Sequence, residues 1–122
     1  MGIRHSTIRS FAYAITGLKT AIKSEPNLKI HIVAGTLALL TGLILKLSYL
    51  EWLLLLFTIF YVITLELLNT VMEAFVDLVS PEMSPFAKIA KDVSAACVLL
   101  AALISVIIGS VLFLPKIILI LK

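Results

Sequence analysis

Three long apolar stretches limit what this chain can fold into. They cover 30–45, 52–65 and 93–114, and none of them contains Asp, Glu, Lys or Arg. A helix that crosses a bilayer needs roughly 20 predominantly apolar residues, so each stretch supplies most or all of a span. Hydrophobic residues make up 61% of the chain, whereas soluble domains are ~45–50% apolar. The sequence therefore predicts an all-α integral membrane protein with three transmembrane helices.

The segment before the first apolar stretch has a different pattern. Apolar residues recur at spacings of three and four between 8 and 22, while Arg9 and Lys23 lie on other faces. This pattern predicts an amphipathic helix that lies on the membrane surface, where its basic side chains meet anionic headgroups. Because a residue before proline avoids the helical conformation, the helix is predicted to end at Glu25, before Pro26.

The remaining polar segments give the other boundaries within a single domain, 1–122. Ser84 and Pro85 suit the N-cap and first position of a helix, so a helix is predicted to restart there after a loop with two prolines. The predicted segments are a surface helix at 1–28 and transmembrane helices at 29–49, 52–73 and 92–114.

The distribution of basic residues predicts the orientation. With three spans, the amino-terminal segment and the loop between the second and third spans lie on one side of the membrane. Seven Lys and Arg residues fall on that side and three on the other. Cytoplasmic loops carry the excess of basic residues, so this side is predicted to be cytoplasmic and the carboxyl terminus to lie outside.

A helical stripe of three acids and one amide begins directly after the second apolar stretch. At about 100° per residue, Glu66, Asn69, Glu73 and Asp77 fall within about an 80° arc. A charged residue at bilayer depth costs roughly 2.5–3.5 kcal/mol, so Glu66 in particular requires an explanation. Simple solvation at the interface remains open for Glu73 and Asp77, and Glu25 could merely cap a helix or be solvated. Carboxylate and amide oxygens suit Mg²⁺ that is held jointly with substrate phosphates, so the stripe is predicted to be an active site.

Several other function classes lack their sequence patterns. The chain has no GxxxxGK[ST] phosphate loop, no kinase Gly-rich loop and no GxGxxG, HExxH or GxSxG motif. Its net charge of +3 is small and dispersed, so we expect no nucleic acid partner. The single cysteine, Cys97, excludes an intrachain disulfide framework and is predicted to be a small packing residue.

Two blocks of residues together resemble a known family. The first contains the stripe together with Thr70 and reads E-x-x-N-T-x-x-E-x-x-x-D at 66–77. The second is K-D-x-x-A-A at 91–96. With the amphipathic start and the three spans, they are similar to the prokaryotic diacylglycerol kinase and undecaprenol kinase family. The stretch 21–31 looks closer to the Gram-positive undecaprenol kinase branch.

This resemblance implies a lipid kinase in a bacterial plasma membrane. It implies a homotrimer with active sites shared between neighbours, ATP with Mg²⁺ as the phosphoryl donor, and undecaprenol or diacylglycerol as the acceptor. Matched residue by residue, it makes Glu66 the catalytic base and assigns Asn69 and Asp92 to the catalytic group. It assigns Mg²⁺ binding to Glu25 and Glu73, and nucleotide or phosphate binding to Tyr13, Glu25, Glu73, Lys91 and Asp92.

The chain also departs from the Gram-negative pattern. An arginine is expected near Ser6, so Arg4 or Arg9 would have to replace it. Ile15 stands where a tryptophan is expected, and Ile30 and His31 replace a polar and an acidic residue. An apolar surface helix suits a polyprenyl alcohol, which has one hydroxyl and no ester carbonyls. We therefore expect undecaprenol to be preferred, with diacylglycerol as the alternative.

Two other classes remain open from the sequence. The acids could line an ion path in a small transport or pore-forming protein, or be solvated charges of a structural membrane subunit. Against a pore, the acids gather at one interface, and none lies in the middle of the first or third span. His31 in turn is expected to be an interfacial residue held by hydrogen bonds.

Overall fold

The structure is a computed structural model that describes residues 6–122, and this part of the chain forms four α-helices without a β-strand. Three of the helices are long and apolar enough to cross a membrane. The prediction of an all-α protein with three candidate spans is thus confirmed. Arg4 lies outside the described residues. The helices are α1 Thr7–Ser24, α2 Pro26–Ile44, α3 Tyr49–Val79 and α4 Pro85–Leu121.

The predicted start and stop signals around α1, α2 and α4 are present. Glu25 separates α1 from α2 with extended backbone angles, and Pro26 occupies the first turn of α2. Across this break the Lys29 ammonium donates to the Lys23 carbonyl at 3.2 Å, and Leu28 is completely buried. At the other break the Ser84 hydroxyl accepts from the backbone N–H of Ala87. Both breaks therefore have local hydrogen bonds that hold the chain.

The turn between α2 and α3 falls earlier than the predicted span, which extends to Tyr49. α2 ends at Ile44, and Lys46 adopts a left-handed φ of 54°. Its N–H bonds to the Leu43 carbonyl, and the N–H of Leu47 bonds to the Gly42 carbonyl at 3.2 Å. These two bonds form a Schellman C-cap, a motif that usually has glycine where Lys46 lies. Because no glycine marks this position, the end of α2 was not predicted from the sequence.

A capping box begins α3 directly after this turn. The Ser48 hydroxyl accepts from the backbone N–H of Glu51, and the Glu51 carboxylate accepts from the backbone N–H of Ser48 at 2.7 Å. The same carboxylate lies 3.1 Å from the ammonium of Lys116 in α4. The cap thus joins the start of α3 to the end of α4.

α3 packs against both other long helices. Gly35 and Gly42 of α2 allow close approach, because an added Cβ would lie 3.0 Å from the side chain of Ile59 and from that of Trp52, respectively. Near the turn, buried Leu47, Leu55 and Leu112 form an apolar cluster that joins the ends of the helices.

Two helices are longer than the predicted transmembrane segments. α3 continues to Val79 and therefore carries the entire acidic stripe as one rigid element. α4 continues through Pro115 to Leu121 instead of ending at 114. Proline inside a helix removes one backbone hydrogen bond, a loss that membrane helices tolerate when neighbouring groups compensate.

Replacing Ser48 with alanine is expected to destabilise the α2–α3 hairpin. The substitution removes the acceptor for an N–H group of the first turn, a loss that typically costs ~1 kcal/mol. Unfolding in mixed micelles with increasing SDS, followed by circular dichroism, measures the change. Ser48→Thr keeps the hydroxyl and serves as the control. Equal stability of Ser48→Ala and wild type would contradict a role for this cap.

Candidate active site

The acidic stripe of α3 becomes steadily more exposed along the helix. Glu66 and Asn69 are buried at 2% and 9% exposure, Glu73 is half-buried and Asp77 is exposed. A side chain such as Glu66 that is buried among apolar helices loses most of its hydration. The stripe therefore extends from the interior of the bundle to its polar end.

The buried end of the stripe faces a cavity of about 340 Å³ between three helices. α3 contributes Glu66, Asn69 and Glu73, while α2 contributes Asn27 and His31. These two α2 residues are one helical turn apart and therefore share a face. On α4, small and apolar side chains form the opposite wall, namely Ala95, Val98, Leu99 and Ala102. The polar groups of the cavity thus come from two helices, and the third provides room.

Glu66 has a carboxylate oxygen without a hydrogen bond. Its buried Oε2 has no hydrogen-bond partner within the described part of the chain, and His31 Nε2 lies 3.7 Å away. Electrostatic interactions also reach Glu66 from the carboxylates of Glu25 and Glu73. A buried polar atom without a partner is costly in a folded protein and so points to a group that takes part in binding or chemistry.

Asn69 connects the buried and the half-buried part of the stripe. Its side-chain amide donates to Oε1 of Glu73 at 3.0 Å, while its own Oδ1 is buried without a partner among the described residues. The amide therefore orients Glu73 and leaves a second unused oxygen at the cavity.

Oxygen ligands for a divalent cation are present, but they do not form a closed set. Glu25 lies half-buried at the α1–α2 break, where its Oε1 accepts from the Ser24 hydroxyl at 3.2 Å. Among the described residues no group of three or more His, Cys, Asp and Glu side chains is arranged to hold a metal. Glu25, Glu73 and the free Asn69 oxygen fit an open Mg²⁺ site, because Mg²⁺ usually takes one or two carboxylates and fills its other positions with water and phosphate.

Lys91 lies at the polar end of the seam between α3 and α4. At 100° per residue it shares a face of α4 with Ala95, Val98 and Ala102, which line the cavity. Its ammonium pairs with the carboxylate of Asp77, the exposed end of the stripe. The ion pair therefore joins the two helices at the open end of the site.

Asp92 and Tyr13 do not line the cavity in a single chain. The Asp92 carboxylate is exposed and pairs with Lys88 one turn earlier on α4. Tyr13 is exposed on α1. The structure thus brings Glu66, Asn69 and Glu73 together, sets Lys91 at the end of the same seam, and leaves Asp92 and Tyr13 on outward surfaces.

Comparison with known proteins identifies the family. The prokaryotic diacylglycerol kinase family matches residues 12–113, which include every element of the site. The chain belongs to this family. It is similar to the undecaprenol kinase of Bacillus subtilis (strain 168), with 40% identity over 108 residues that cover 88% of both proteins. It is also similar to two diacylglycerol kinases, at 41% identity to that of a Synechocystis species and 30% to that of Escherichia coli (strain K12).

The two diacylglycerol kinase matches cover different shares of those enzymes. The Escherichia coli match covers 86% of both proteins, whereas the Synechocystis match covers 87% of this chain and 61% of that enzyme. Relatives with both names thus match most of this chain. Membership in this family of lipid kinases makes the chain a phosphotransferase with an alcohol acceptor and implies ATP as the donor. The pore-forming and structural alternatives are set aside.

Two polar residues of the cavity, Asn27 and His31, are not among the site residues predicted from the sequence. His31 is predicted to be an ordinary interfacial residue, whereas in the structure its Nε2 lies 3.7 Å from Oε2 of Glu66. A signal was present, because Asn27 and His31 lie at i and i+4 immediately after Glu25. The pattern did not show which helix that face would meet.

Proposed function

We propose that this chain transfers the γ-phosphoryl group of ATP to the hydroxyl of undecaprenol, giving undecaprenyl phosphate. The single observation that supports this most is the buried carboxylate of Glu66, which presents an oxygen without a partner to a cavity between three helices. A lipid hydroxyl that enters the cavity would supply the missing hydrogen bond. Glu66 is then positioned to remove the hydroxyl proton while the lipid oxygen bonds to phosphorus and the bond to ADP breaks.

The other site residues act on charge and position. Glu25 and Glu73 would hold Mg²⁺, with Asn69 orienting Glu73 through its hydrogen bond. When bound, Mg²⁺ neutralises charge on the phosphates. Lys91 would bind phosphate oxygens from the polar end of the seam, with Asp77 fixing its position until they arrive.

We further propose a homotrimer in which neighbouring chains share each site. Asp92 and Tyr13 face outward in a single chain, as do many large apolar side chains of the three long helices. Assembly would cover part of this apolar surface and bring such outward residues to a neighbour's cavity. Of the two candidates for the arginine expected near Ser6, Arg9 lies within the described residues and is exposed on α1.

The proposed setting is the plasma membrane of a bacterium. The excess of basic residues beside α1 and the α3–α4 loop supports a cytoplasmic location for that side and an external carboxyl terminus. Glu73, Asp77 and Lys91 then lie where ATP is available, while α1 lies on the membrane surface.

The preference for undecaprenol is supported by a groove of about 400 Å³ between α1 and α3. Three threonines line it, but each hydroxyl already donates to a carbonyl of its own helix: Thr16 to Ala12, Thr20 to Thr16 and Thr70 to Glu66. The groove therefore offers few donors for the ester carbonyls of a diacylglycerol. Each carbonyl left unpaired would cost about 1–3 kcal/mol, unless water bridges it.

Diacylglycerol is the second candidate substrate, because the Synechocystis and Escherichia coli relatives are named diacylglycerol kinases. This alternative changes only the lipid that accepts the phosphoryl group and leaves the roles of the site residues unchanged.

Replacing Glu66 with glutamine is expected to lower kcat by about 10²–10⁴-fold, because the amide is nearly the same size and cannot accept the proton. Transfer of ³²P from ATP to extracted lipid measures the rate. Nucleotide binding and oligomer size are expected to stay close to wild type. The control is Glu82→Gln in the exposed α3–α4 loop. A Glu66→Gln enzyme that misfolds and no longer binds nucleotide would indicate a structural role instead.

Glu25→Ala and Glu73→Ala are each expected to raise the Mg²⁺ concentration that gives half-maximal activity, by tenfold or more. Each substitution removes one carboxylate from an open site that has few protein ligands. Mg²⁺ titrations at fixed ATP measure the shift, with Glu82→Ala as the control. A residue whose alanine variant keeps the wild-type Mg²⁺ dependence is not a ligand.

Undecaprenol is expected to exceed diacylglycerol in kcat/KM by roughly ten- to hundred-fold in matched bilayers. Leu18→Gln, which introduces an amide donor into the groove, is expected to narrow this ratio. Thr20→Val removes a hydroxyl already used within α1 and is expected to leave the ratio unchanged. Equal or faster turnover of diacylglycerol would refute the lipid assignment and leave the kinase assignment in place.

A further inference from the structure

The burial of Glu66 raises the question of how its proton leaves the site. If Glu66 takes the lipid proton, it must lose that proton before the next turnover. Glu66 is 2% exposed, so direct transfer to bulk water is obstructed. A neighbouring group that both approaches Oε2 and reaches a more open environment would remove the obstruction.

His31 satisfies both conditions. Its Nε2 lies 3.7 Å from Oε2 of Glu66, and its side chain retains 21% exposure compared with 3% for that of Glu66. Hydrogen bonds of catalytic groups are often long before substrate binds and shorten in the productive complex. His31 belongs to α2 and therefore approaches Glu66 from a different helix.

The surrounding charges make His31 the natural acceptor. Glu25, from the α1–α2 break, and Glu73, from α3, both interact electrostatically with Glu66, but the proposed function already assigns both carboxylates to Mg²⁺. The α4 wall contributes no titratable side chain to the cavity, and Lys91 and Asp92 of α4 are paired with Asp77 and Lys88. Within the described residues that line the cavity, only His31 brings an imidazole nitrogen close to Glu66.

We propose that His31 positions Glu66 and receives its proton. The lipid hydroxyl proton passes to Glu66 as the new oxygen–phosphorus bond forms and ADP leaves. The imidazole of His31 then accepts this proton on Nε2 and passes a proton to water, which restores both residues. His31 acts through Glu66 and does not contact the reacting atoms. This inference rests on the proposed function, because it takes Glu66 as the base.

The test compares two substitutions of His31 in the full-length enzyme in bilayers. His31→Gln keeps polarity and approximate size, and His31→Ala leaves space for an added imidazole. Both variants are expected to lower kcat by about ten- to hundred-fold, while KM for ATP and lipid changes less than about threefold, because the loss lies in proton transfer. Thr36→Ala on α2, whose hydroxyl donates to the Ile32 carbonyl of its own helix, is the matched control and is expected to leave kcat unchanged.

Chemical rescue separates proton transfer from a structural role. Added imidazole is expected to raise kcat of His31→Ala several-fold but not that of Glu66→Gln. Across a series of substituted imidazoles of similar size, the rescue is expected to follow their basicity. The rescue is also expected to weaken in acid, because only neutral imidazole accepts a proton.

The outcomes distinguish this inference from the proposed function. Wild-type kcat in His31→Gln, or a loss in His31→Ala that no imidazole restores while circular dichroism and oligomer size match wild type, would overturn the role of His31. If the alanine variant does not fold, the kcat and KM of His31→Gln alone decide, and an increase confined to KM counts against it. Full activity of Glu66→Gln would instead overturn the assignment of Glu66 as the base.

Discussion

A carboxylate held among membrane-crossing helices is the interaction on which this structure depends. Burying Glu66 costs free energy that apolar packing must offset. Gly35 and Gly42 bring α2 against α3, and small residues of α4 form the far wall of the cavity. Small residues thus permit helix contact on α2 and leave space beside the acid on α4. Stability and chemistry therefore require the same residue types.

The two ends of the bundle have different tasks. At the end away from the acids, the Schellman turn, the Ser48 capping box, the Glu51–Lys116 pair and the leucine cluster hold the helices at fixed spacing. At the other end, the stripe has buried oxygens that no residue of 6–122 bonds, and an exposed ion pair between Lys91 and Asp77. The polar groups that lack partners are thus concentrated where substrates would bind.

Much of the fold and part of the site could be predicted from sequence. Apolar length gave three spans, Pro26 and Pro85 gave two helix starts, and the 3.6-residue period placed Glu66, Asn69 and Glu73 on one face. The end of α2 could not be predicted, because Lys46 occupies a conformation that glycine normally marks. The proximity of His31 and Glu66 depends on how two helices rotate against each other, which neither helix's own pattern contains. The outward positions of Asp92 and Tyr13 likewise follow from packing.

The continuity of α3 has a consequence for how two immiscible substrates meet. Its 31 residues extend about 46 Å at 1.5 Å per residue, more than the roughly 30 Å of a hydrocarbon core. Glu66 and Asp77 are separated along this rod by about 16 Å, more than the depth of one headgroup layer, roughly 5–7 Å. One unbroken helix therefore assigns each polar group a fixed depth. A nucleotide in water and a lipid alcohol in the bilayer can therefore react while each stays in its own phase.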